Sequence, residues 1–172
     1  MIVSICKDPE TGWWNVCIDD RAYTSCELRR EAAWAAERLH TTHAGRAKPR
    51  TVNEKVELAR DADRAAWEAR LWCTFDRTGE ESVGDIDLLT ADGSFRAPSL
   101  VARDGLAITP SLALADRWQI THIGTGRSAG RAMRLPEARR VFAQLAGRNY
   151  STLPGSWRLE DSTLLLKLTA PK

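Results

Sequence analysis

Aromatic rings other than indole are scarce in this 172-residue chain, which has two tyrosines and three phenylalanines. Histidine (three), methionine (two) and cysteine (four) are sparse as well. No apolar run approaches the roughly 18 to 20 residues that a membrane-spanning helix needs, so no membrane partner is expected. The cysteines, Cys6, Cys17, Cys26 and Cys73, show no Cys-x-x-Cys spacing. They carry no zinc or redox motif, and free thiols in a reducing compartment are the expectation. The opening MIVSICKDPE has only a short apolar stretch before Asp8-Pro9. It is therefore not expected to act as a secretory leader, and a cytoplasmic protein follows.

What the chain does have is charge, and the charge is segregated. The formal total is only +2. Residues 21–50 carry seven bases against three acids, residues 51–104 seven against twelve, and residues 117–158 eight arginines against one acid, Glu137. Fields act over about a Debye length, so this local excess matters more for partners than the total does. Acidic and basic segments that pack side by side would cancel it.

Ile2 to Lys7 and Trp13 to Ile18 read as the strands of a hairpin around the Asp8–Gly12 turn. Thr24 and Glu27 have the spacing of a capping box, opening a helix to about His40 with Leu28, Ala32, Ala35 and Leu39 on one face. Residues 1–45 then form a ββα unit. Trp13 and Trp14 are neighbours on a strand and point to opposite faces, so one local helix covers only one of them. The other is left for a further element, a ligand, or a second copy of the chain, which makes a homodimer a natural arrangement.

Thr41 to Arg50 reads as a linker, leaving residues 51–172 as an α+β region that could still pack with the first unit as one domain. Thr51 and Glu54 form a second capping box, and Leu58, Ala62, Ala65, Ala69 and Trp72 make a helical stripe. Leu71 to Phe75 reads as the start of a strand. A second hairpin follows over Asp85 to Ala102, turning at Ala91-Asp92-Gly93. Thr109-Pro110 is expected to cap a short helical turn. The stretch from Arg117 to Arg148 reads as strand, glycine-rich turn, a second strand over Arg131 to Arg134, and a helix opened by Pro136. Thr163 to Leu168 reads as a closing strand. The fold class is α+β: antiparallel sheets with about three main helices, arranged in one version as two ββα halves.

No catalytic pattern stands out. Gly124 to Gly130 follows a strand but has neither the dinucleotide-binding spacing nor the Lys-Ser/Thr ending of a phosphate loop. His122, with Cys73 or Ser128 as nucleophile, could serve a small hydrolase-like enzyme, although no motif singles these residues out. His40 with His43, and Asp85 with Asp87, lack the further ligands of a metal site. Neither metal nor cofactor is expected. The remaining signal is arginine. Arg127, Arg131, Arg134, Arg139, Arg140 and Arg148 suit phosphates or carboxylates, and one or two of the seven tryptophans, Trp13 and Trp14 foremost, could add a stacking surface. The expectation is a non-enzymatic protein binding nucleic acid or a nucleoprotein complex. The alternative is a protein–protein module or inhibitor facing an acidic partner. Its short ββα units and arginine- and alanine-rich style resemble small accessory proteins of high-GC bacteria, their phages and mobile elements.

Overall fold

A computed structural model describes residues 1–44, 51–91 and 93–170. The chain divides into two compact units, Met1–Cys73 and Thr74–Lys172. Among the described residues there are three antiparallel sheets and four α-helices, an α+β fold. No helix among them is long and apolar enough to cross a membrane.

The first unit holds a three-stranded meander, β1 (Val3–Lys7), β2 (Trp14–Ile18) and β3 (Arg21–Cys26), followed by α1 (Arg29–Thr42) and all but the last turn of α2 (Val52–Asp76). Strand β3 is an addition to the expected ββα pattern. Thr24 pairs opposite Val16 within it, so the expected Thr24–Glu27 capping box does not form. One turn later only the carboxylate half of such a box is made: Glu31 accepts a hydrogen bond from the backbone N–H of Leu28 (3.3 Å), while the leucine side chain has no acceptor to return. The second box is present as expected, with Thr51 N–H donating to Glu54 (2.8 Å) and Glu54 N–H to Thr51 Oγ1 (3.2 Å). Alternation along β1 and β2 puts Val3, Ile5, Trp14, Val16 and Ile18 on one face, against Ala32, Ala35 and Leu39 of α1 and Leu58, Ala62, Ala65 and Ala69 of α2. The alanine stripes give each helix a small-residue face toward this core. Beyond Ala44, the expected 41–50 linker lies outside the described residues, as does Asp92 of the expected hairpin turn.

Leu71 to Phe75 is helix, not strand. No glycine or proline interrupts the helical ladder before Asp76, where α2 ends, and Gly79 then turns the chain at positive φ. The second unit then builds the hairpin β4 (Gly84–Thr90) and β5 (Gly93–Ser99), and a four-stranded sheet of β6 (Val101–Arg103), β7 (Leu106–Pro110), β8 (Trp118–His122) and β9 (Arg127–Ser128). Every residue of β7 and β8 is buried, so both faces of these central strands are covered. Thr109, expected to cap a helical turn, is a β7 residue whose hydroxyl bonds that of Thr121 across the pair (2.8 Å). One face of the sheet packs Ile108, Trp118 and Ile120 against Phe142, Leu145 and Leu165. These belong to α3 (Leu135–Leu145), which has Pro136 in its first turn as expected, and to α4 (Leu159–Thr169).

α4 replaces the expected strand over Thr163 to Leu168. Its leucines are good helix formers, and Glu160 and Asp161 complement the helix dipole in the first turn. The expected strand over Arg131 to Arg134 shrinks to a single bridge, Met133 opposite Trp118, while the true partner of β8 is the earlier Arg127–Ser128. After Gly130 the chain turns to α4, where Arg131 N–H donates to Thr169 O (3.0 Å).

Candidate functional site

The glycine-rich turn is accounted for by packing. Gly126 has φ +65, and a Cβ there would sit 2.1 Å from Asp87 O, where β4 crosses the turn. Leu89 N–H donates to Gly126 O beside it (2.8 Å). A Cβ on Gly130 would meet Thr169 at 2.2 Å. These glycines let two backbones approach, and they form no cradle at a helix N-terminus.

His122 is buried at the end of β8 with both ring nitrogens engaged. Nε2 lies 2.8 Å from Tyr150 O and Nδ1 2.8 Å from Thr125 Oγ1. A carbonyl only accepts, so Nε2 carries the proton, and in the neutral ring Nδ1 accepts from the threonine hydroxyl. Trp157 packs edge-on to the imidazole and to Tyr150, with centroids 5.2 and 5.0 Å away. Ser128, a nominated nucleophile, donates its hydroxyl to Gly130 O (2.8 Å). His122 thus ties the loop at residue 150 to the sheet, and a role as general base would require breaking one of these bonds.

The expected arginines fall into two groups. Arg131 pairs with Glu137, Arg139 with Glu80, and Arg148 with Asp161. The acids at 80 and 161 lie outside the arginine-rich stretch, so part of the local excess is neutralised on folding. Arg148 is held more firmly protonated than usual by its hydrogen bond to Asp161. Arg127 on β9, Arg134 at the N-cap of α3 and Arg140 on α3 are exposed, and no acid pairs with them among the described residues. Arg158, just before α4, shares that condition.

Arg148 and Arg158 also line an open cleft of about 680 Å³, with Gly147, Asn149, Trp157 and Asp161. Trp157 is fixed there by its Nε1–H, which donates to Thr152 O (2.9 Å). Sequence reasoning passed over Trp157 and Arg158 as site residues. Their signal was their adjacency just after the Pro154-Gly155 turn, where a loop presents neighbouring side chains at a surface.

Trp13 and Trp14 belong to the first unit. Trp14 packs against its core with the Arg29 guanidinium 5.6 Å from the ring centroid, while Trp13 remains 45% exposed. Trp118 is buried in the second core and Trp157 packs on it, Trp14 and Trp34 pack on the first, and Trp13 and Trp67 are exposed. Asp85, one of the two candidate cation ligands, pairs with Arg96 (3.0 Å). His43 lies 3.1 Å from Asp61, and no metal-ligand cluster occurs among the described residues. No protein-family profile, curated protein or solved structure matches the chain.

Proposed function

We propose that this protein is a non-enzymatic binding protein that engages nucleic acid, free or within a nucleoprotein complex, through the arginines of its second unit. One observation carries the reading: Arg127, Arg134, Arg140 and Arg158 are exposed and have no acidic partner among the described residues. A guanidinium left in water costs the fold nothing and is ready to release counterions from a phosphate backbone. Arg139 is a reserve, because its partner Glu80 is 45% exposed and such a surface pair is worth only about 0 to 1 kcal/mol. The cleft beside Trp157 gives an unstacked base an aromatic edge next to Arg148 and Arg158.

Fluorescence anisotropy with labelled single-stranded and duplex DNA and RNA tests this. The expected result is binding at low salt. Duplex affinity should fall roughly 40-fold between about 50 and 200 mM salt if about three phosphates are neutralised. No binding even at the lower salt would sink the reading.

A protein–protein module or inhibitor, of the kind phages and mobile elements encode, is the second reading. The observation favouring it is Trp13, a large ring 45% exposed at the end of a hairpin, where a partner pocket would make it a hot spot. Capture of an acidic protein that is lost on Trp13→Ala would support it over the first.

A further inference from the structure

The register of β1 and β2 sets Cys6 opposite Asn15 and Cys17 opposite Ser4. Cys6 and Cys17 are therefore diagonal neighbours on one face of the sheet, the face turned away from the core residues Val16 and Ile18. Their sulfurs are 3.3 Å apart. Cys6 is exposed and Cys17 buried beneath it, while Cys26 and Cys73 are both buried elsewhere.

We propose that Cys6 and Cys17 form a reversible dithiol–disulfide site, with Cys6 the reacting thiol and Cys17 the resolving one. Burial, and then the hydrogen bond with Cys6, push the Cys17 thiol up to about 11, so it keeps its proton beside the Cys6 sulfur. Exposed Cys6 meets the oxidant first. With a peroxide, the Cys6 thiolate attacks one oxygen, the O–O bond breaks, and Cys6 becomes a sulfenic acid as hydroxide leaves. The Cys17 sulfur then attacks the Cys6 sulfur, the S–O bond breaks, and the Cys17 proton leaves with the hydroxyl as water. Two electrons have passed from the thiol pair to the peroxide.

The sulfurs must close to about 2.05 Å, and diagonal strand positions are normally spaced wider, at about 7–8 Å, than the roughly 4.4–6.8 Å between the Cα atoms of a relaxed disulfide. The bond therefore forms under strain and is easily reduced.

Trypsin separates the two residues, because Lys7 lies between them and Arg21 follows Cys17. The full chain, treated folded with hydrogen peroxide and alkylated before digestion, should yield peptides 1–7 and 8–21 joined by a disulfide. The intact mass should fall by two hydrogens, and a thiol reductant should reverse it. Cys6→Ser and Cys17→Ser should each abolish the linked peptide, and Cys26→Ser should leave it. The proposal is overturned if oxidation stops at Cys6, or joins two chains through Cys6, while Cys17 stays free for alkylation after denaturation.

Discussion

The two units of the molecule build their cores from different materials. The first fills the space between sheet and helices with alanine: Ala32, Ala35, Ala62, Ala65 and Ala69 are all buried. The second relies on large side chains, among them Trp118, Met133, Phe142 and Tyr150, and closes them with contacts between residues far apart in sequence. His122 reaches Tyr150, Arg131 reaches Thr169, and Gly126 admits β4. Small residues bury little area but leave no slack for growth, whereas large ones bury much area and leave a cavity when cut. The units should therefore respond to opposite kinds of substitution.

The largest effect is expected from Phe142→Ala, which removes a ring from the second core. It should cost about 3–5 kcal/mol in urea unfolding of the full chain, with hydrogen exchange accelerated first in residues 74–170. Gly126→Ala should follow at about 3 kcal/mol, because a methyl group there meets Asp87 O at 2.1 Å with φ at +65. In the first unit the damaging change is enlargement. Ala65→Leu should cost about 1–3 kcal/mol and accelerate exchange first in residues 1–73. If truncation and enlargement harmed both units equally, the contrast would be lost.

A pH effect sharpens the same contrast. Burial pushes the Cys26 thiol up to about 12, so the folded chain keeps a proton that the unfolded chain gives up above about pH 9. The folded state then binds more protons, and stability must fall as pH rises from about 9 toward 12. About 1 kcal/mol should be gone by roughly pH 10, and Cys26→Ser should remove that part of the slope.

Much of the first unit was legible in the sequence, because its core is written in local periodicity. Ala32, Ala35 and Leu39 repeat at helical spacing, as do Leu58, Ala62, Ala65 and Ala69. Strand β3 was missed because Thr24 and Glu27 match a capping box locally, while register against Val16 decides the matter. In the second unit, the leucines of α4 fit strand and helix alike by composition, and only packing of Leu165 into the core chooses between them. The arginine surface was legible as composition. Which arginines stay unpaired was not, because Glu80 and Asp161 lie far from Arg139 and Arg148 in sequence or across a turn, and no spacing rule joins them.

That division of the arginines is also where the proposed function is most directly tested. Two triple variants should be compared by salt-dependent anisotropy on one labelled duplex. The first replaces three of the four unpaired arginines, Arg127, Arg134 and Arg140, by Ala, and the second the paired Arg131, Arg139 and Arg148. Losing the unpaired set should flatten the slope of log K against log salt by about 2.7, while losing the paired set should change it by less than about 1. Equal flattening by both sets, or an unchanged slope when the unpaired set is removed, would contradict the account.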